Sequence, residues 1–184
     1  LNAGGGGNIG FGYNAGYGNN TGSFNTSIGY EASKGVSNNA NSNNTSVGYQ
    51  ALTSITTGGN NIAIGVTPQQ FNTTGSHNVG IGQTALRYNQ TGINNVAIGS
   101  YSQRGASGNS HSNNTSVGFN SLYSVTTGGN NVAVGGGAGY AMTNNASNVI
   151  VGRGAFQTAD NGENNNTIIG DYAGRYINND NADH

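Results

Sequence analysis

The chain has 184 residues, 34 of them glycine, with 33% hydrophobic and 6% charged residues and a formal net charge of −1, against about 45–50% apolar and about 25% charged in ordinary soluble domains. This excludes a conventional helical or α/β core, yet a single proline, Pro68, and almost no net charge are unlike a disordered chain, which is rich in both. Five basic and six acidic residues leave no electrostatic footprint for nucleic acid or an anionic membrane surface, no apolar run approaches the ~20 residues of a transmembrane helix, so no membrane insertion is expected, and the absence of cysteine removes disulfides and thiolate chemistry.

Order must therefore come from a repeat, and one runs through nearly the whole chain. Its unit is Asn, a β-branched residue, a small residue, an aliphatic and Gly. The Asn falls at Asn8, Asn25, Asn44, Asn61, Asn78, Asn95, Asn114, Asn131, Asn148 and Asn166, with Gly four residues later, from Gly12 to Gly170. Successive spacings are 17, 19, 17, 17, 17, 19, 17, 17 and 18. The basic period is thus 17, and the two-residue insertions lie 70 residues apart, which marks a higher-order duplication. Within the unit, the residue before Gly is always apolar (Phe11, Ile28, Val47, Ile64, Ile81, Ile98, Val117, Val134, Val151, Ile169), and two residues earlier stand Ile, Val or Thr. That alternation places both positions on one face of a five-residue strand. Between them lies Gly, Ser or Ala in eight copies, with Ile150 and Ile168 as exceptions. Beyond the strand come Ala, Ser or Pro68 and then Thr-Gly turns such as Thr57-Gly58 and Thr74-Gly75, where glycine supplies positive φ.

A 17-residue unit with one strand, a second short extended stretch and Gly turns has the size of one coil of a β-solenoid. The expected fold is therefore all-β, a single repeat domain over residues 1–184, with about ten coils across 8–175 and a tail over 176–184. Stacked coils rise about 4.8 Å each, and the ten Asn side chains form an amide ladder. An Asn outside the register, such as Asn109, is expected in an exposed loop. The small middle residues make the coil thin, which leaves an aliphatic stripe outside, the mark of an interface. Self-association as a parallel homotrimer, or a longer fibre, is the expected consequence.

The strings NTSIGYEA (from Asn25), NTSVGYQAL (from Asn44) and NNVAIG (from Asn94) resemble the repeats of trimeric autotransporter adhesin heads and of phage tail-fibre proteins with NTAVGYQAL-type repeats. The resemblance covers about residues 8–175. It implies a trimeric left-handed β-roll or triple β-helix, used as an adhesive shaft on a virion or outside a cell. Many tail-fibre relatives continue into a self-cleaving chaperone domain, and a chain running from Leu1 to His184 fits a mature product after such cleavage.

Candidate sites are few. Five of the six carboxylates, Asp160, Glu163, Asp171, Asp180 and Asp183, cluster near the C-terminus, away from Glu31. Asp160 and Glu163 can be drawn as a depolymerase pair or a calcium loop, but their Asn-Gly surroundings read first as a solvated turn. His77, His111 and His184 lack metal-ligand spacing, and Gly5-x-Gly7-x-x-Gly10 lacks the βαβ context of a dinucleotide loop. No enzymatic activity, cofactor or metal is expected. The aromatic rows are the better candidates. Tyr13, Tyr30, Tyr49 and Phe119 follow the strand Gly, and Tyr17, Tyr123 and Tyr140 recur four residues later. They read as packing across a subunit boundary or as a track for a cell-surface polysaccharide. Thr56-Thr57, Thr73-Thr74 and Thr126-Thr127 read as turn stabilisation rather than an ice-binding array, and Asn72-Thr73-Thr74 is a glycosylation sequon only in a glycosylating secretory route.

Overall fold

In the computed structural model, residues 5–36, 39–159 and 162–177 are described. They form ten parallel strands in one sheet, paired strictly in chain order: β1 (Ile9–Phe11), β2 (Thr26–Ile28), β3 (Thr45–Val47), β4 (Ile62–Ile64), β5 (Val79–Ile81), β6 (Val96–Ile98), β7 (Thr115–Val117), β8 (Val132–Val134), β9 (Val149–Val151) and β10 (Thr167–Ile169). Like positions sit opposite one another, so Ile62 pairs with Val79, Ala63 with Gly80 and Ile64 with Ile81. The chain is a β-solenoid, and each coil opens at one of the ten ladder Asn residues.

The strands are three residues long, not five. The flanking Gly ends each one because it adopts φ of +124° to +138°, and because the coils approach closely there. A methyl group added at Gly82 would lie 2.7 Å from the Gly99 carbonyl oxygen of the next coil, so only glycine fits.

Beyond each strand the chain runs into a ribbon of consecutive turns, where a second extended stretch was expected. Glu31 and Ser33 have φ of 53° and 44°, and the Ala32 and Lys34 N–H groups close three-residue hydrogen bonds onto the Gly29 and Glu31 carbonyls. Positive φ at the third residue of a turn is the type II geometry, repeated here every two residues. The same ribbon recurs at Gln50 and Leu52, Thr84 and Leu86, and Asn120 and Leu122. Its remaining donors reach neighbouring coils, as when Glu31 N–H bonds Tyr13 O and Ser33 N–H bonds Ala51 O, each at 2.8 Å. That external pairing satisfies backbone groups that a lone ribbon would strand.

Turn and strand together enclose a thin interior. The middle strand residue points in, the outer two point out, and Ala32, Ala51, Ala85, Ala138 and Ala155 of the ribbon are fully buried. At the next ribbon position, Leu52, Leu86, Leu122 and Phe156 fill the remaining width of their coils. The core is layered. Apolar clusters around Leu52, around Leu86 and from Leu122 to Ile168 alternate with polar layers in which Ser33 bonds Ser46, and Gln69 and Gln103 donate to the Ile62 and Val96 carbonyls. Ala173 and Ile177 pack against the last apolar cluster.

The Asn ladder is continuous. Each ladder Oδ1 accepts the backbone N–H of the next ladder Asn at 2.9–3.1 Å through all nine coil boundaries. Each Nδ2 from Asn25 to Asn148 also donates to a backbone carbonyl 14–16 residues on, as in Asn61 to Gly75 O and Asn78 to Gly92 O. The side chain thus ties its coil shut as well as to its neighbour. An amide-to-amide bond is added at seven boundaries. It is missing at Asn25/Asn44 and Asn95/Asn114, the two 19-residue coils, where Asn41 and His111 approach the Asn44 and Asn114 amides instead. The insertions also correct the expectation for Asn109. Its side chain is buried, bonds the Val125 carbonyl at 2.9 Å, and its backbone bridges to Asn89.

Candidate functional site

Three surfaces run the length of the solenoid. The first is the outer face of the sheet. Its two rows are Ile9, Thr26, Thr45, Ile62, Val79, Val96, Thr115, Val132, Val149, Thr167 and Phe11, Ile28, Val47, Ile64, Ile81, Ile98, Val117, Val134, Val151, Ile169. Central members such as Ile62, Ile64, Val132 and Val134 are 37–38% exposed, and the terminal Phe11 and Ile169 reach 74% and 68%. The face is free of charge from end to end. At about 4.8 Å per coil it is roughly 45 Å long, well beyond an isolated exposed aliphatic.

The second surface carries the aromatic candidates, which the structure divides. Tyr13, Tyr30 and Tyr49 stack on one another with centroids 5.3 and 5.4 Å apart, as their shared register implies. The column then stops, since Val66, Gln83 and Ser100 hold the next three positions. Phe119 lies beyond that gap, edge-on to Tyr101. Tyr17 is exposed and its register neighbour in the next coil is Lys34. Tyr123 and Tyr140 stack at 5.0 Å, but their column begins earlier, with residues not singled out from the sequence. Phe71 stacks on Tyr88 at 5.2 Å, Arg87 lies over both rings, and Arg104 lies over Tyr88 and Tyr123 at 5.1 and 5.4 Å. Stacking occupies ring faces, so these columns present ring edges, phenol hydroxyls and guanidinium N–H groups outward.

Ion pairing differs along this surface. Lys34 pairs with Glu31 at 2.7 Å and Arg153 with Asp171 at 2.9 Å. The hydrogen bond from Lys34 holds the Glu31 carboxyl below its ordinary range, and that from Arg153 does the same for Asp171. Arg87 and Arg104 have neutral partners, Gln70 Oε1 at 2.8 Å and the Tyr123 hydroxyl at 3.1 Å.

The third surface is the Thr turn. Thr56, Thr73 and Thr126 hydroxyls donate to the Thr73, Gln90 and Thr143 carbonyls of the following coil. They stabilise turns and do not bond one another.

The other candidates are dispersed. Asp160, Asn161, Asp180, Asp183 and His184 lie outside the described residues, while Glu163 is buried and its backbone carbonyl accepts the Asn148 amide. Among the described residues no cluster of three His, Cys, Asp or Glu side chains could hold a metal ion. A cavity of about 430 Å³ opens at the N-terminal end, lined by Asn8, Asn19, Asn25, Ser27, Ser33 and Asn41 together with Gly backbone. It is the mouth of the solenoid interior. His111 is fully buried, its Nδ1 3.4 Å from the Asn95 amide oxygen, and burial lowers its pKa from 6.5 to about 3. No protein-family model matches the chain, and neither a curated protein nor a solved structure shows significant similarity to it.

Proposed function

We propose that this chain is a segment of a structural fibre, a parallel homotrimer packed through the charge-free strand face, whose turn surface attaches to cell-surface glycans outside a cell or on a virion. The strand face carries the reading. Ten rungs of Ile, Val, Phe and Thr left in water would forfeit about 25 cal/mol for each Å² of apolar area that a partner could cover. A partner must repeat at the coil spacing to fit, and another copy of this chain does so by construction. Three-fold closure lets the first row of one copy meet the second row of the next, a heterologous contact that closes as a ring. The resemblance to adhesin and tail-fibre repeats points the same way.

Light scattering is expected to give close to three times the 18.5 kDa chain mass. A single-chain mass would overturn the assembly. Ile81→Glu with Ile98→Glu places two charges at the centre of the face, and dissociation or disordered aggregation is the expected result, because unpaired charges at an apolar contact cost several kcal/mol. For attachment, the assembled fibre should retain polysaccharide from a host surface and leave its chain length unchanged. Release of oligosaccharides would mean hydrolysis, and no retention by any polysaccharide would leave a receptor-free filament.

A further inference from the structure

We infer that the attachment lane is the Arg–aromatic column from Phe71 to Tyr140 and that its ligand class is acidic polysaccharide, a linear polymer carrying uronate carboxylates. This rests on the attachment reading above and specifies its site and chemistry.

The lane is built from five consecutive coils, with Phe71, Tyr88, Arg104, Tyr123 and Tyr140 succeeding one another and Arg87 beside Tyr88. At one coil per step it is straight and roughly 20 Å long, a shape that suits an extended polymer and offers no pocket for a small molecule. All six side chains are half-buried, held by their stacking and therefore ordered before a ligand arrives, which lowers the entropic cost of binding.

Charge sets the ligand class. No Asp or Glu occurs between residues 32 and 159, so no carboxylate in that span faces the two guanidinium groups. Arg87 donates through Nε to Gln70, and Arg104 donates through one terminal nitrogen to Tyr123. A guanidinium has five N–H donors, so each Arg has donors to spare, and its fork matches a carboxylate better than any neutral acceptor. Of the other cations, Lys34 and Arg153 already hold Glu31 and Asp171, while Arg175 lies over Tyr172 and Tyr176 beyond the carboxylate-free span, four residues from Asp171. The phenols of Tyr88, Tyr123 and Tyr140 add groups that exchange hydrogen bonds with sugar hydroxyls. Two cations over five coils is too sparse for a nucleic-acid backbone, whose recognition draws on many phosphate contacts. It matches a polymer in which charge alternates with hydroxyl-bearing rings.

The test measures retention of polymers by the assembled fibre: polygalacturonate, alginate and hyaluronate, fully methyl-esterified polygalacturonate as the same backbone without charge, and polyglutamate as a polyanion without sugar. The expected result is retention of at least one uronate polymer, released by salt, with the ester and polyglutamate each held at least about tenfold more weakly. The double variant Arg87→Gln, Arg104→Gln should lose that preference by a similar factor while keeping the wild-type mass and melting temperature. The pair Lys34→Gln, Arg153→Gln should keep it. Equal retention of ester and acid, or an unaffected double variant, would overturn the acidic lane and leave the attachment reading standing. Equal retention of polyglutamate would reduce the lane to an ion exchanger and overturn the inference. No retention of any polysaccharide, neutral ones included, would overturn both.

Discussion

Asn78→Ala is expected to melt far below the parent protein, while Asn144→Ala melts alongside it. The Asn78 amide oxygen accepts the Asn95 N–H at 3.0 Å and the Asn95 side-chain amide at 2.9 Å, and its own amide nitrogen donates to Gly92 O at 2.9 Å. Truncation strands a buried backbone N–H on one coil and a buried carbonyl on another. At about 1–3 kcal/mol for each unsatisfied group, the loss is about 2–6 kcal/mol per chain, or roughly 5–20 °C for a domain of this size. Asn144 is exposed and accepts one bond from the exposed Gly162 N–H, so its removal should cost under about 0.5 kcal/mol. Residue type and chain length are the same in the two variants, and a pair of coincident melting curves would show that the ladder contributes nothing to the stack.

Acid should destabilise the protein in good part through His111, a buried side chain that stays neutral in the fold. His111 is neutral in the folded state because burial holds its pKa at about 3, against 6.5 when solvated. Above about pH 6.5 both states are neutral and stability does not depend on it. As pH falls from about 6.5 toward 3 the unfolded chain takes up a proton that the folded chain refuses, so stability drops by about 1.4 kcal/mol per pH unit. Near pH 4 the loss is about 3 kcal/mol. The other long coil holds a ready control, because Asn41 stands where His111 stands, its carbonyl accepting the Asn25 amide as the His111 carbonyl accepts that of Asn95. His111→Asn should therefore flatten the acid limb. Glu31 and the exposed Asp171, whose pKa values are lowered, also contribute stability that is lost as they protonate, but equally in both proteins. Denaturation midpoints that fall in parallel from neutral to acid pH would refute the assignment.

Legibility followed register. The Asn ladder, the inward small residues and the outward aliphatic rows were readable because each recurs at one fixed position, and parallel in-register pairing turns such a position into a column. The Tyr13–Tyr30–Tyr49 stack was readable for the same reason. The Arg–aromatic lane was not, because Phe71 and Tyr88 stand six residues after the strand Gly while Arg87, Arg104, Tyr123 and Tyr140 stand five after it; no single register contains the lane. Leu52, Leu86 and Leu122 escaped notice as core residues because they sit at positive φ in turns, where neither the helical nor the strand period applies. Asn109 misled because the two-residue insertion moves it from loop tip to interior.

The hydrogen bonds between coils point along the stack, so a pull on the two ends of the solenoid acts on nine boundaries in series, and the weakest yields first. Seven boundaries carry both the backbone-to-amide bond and the amide-to-amide bond. The Asn25/Asn44 and Asn95/Asn114 boundaries carry only the first of the two. Spaced 70 residues apart by the duplication, these two boundaries substitute contacts from Asn41 and His111 for the missing ladder bond, so their hold under load depends on side chains outside the ladder.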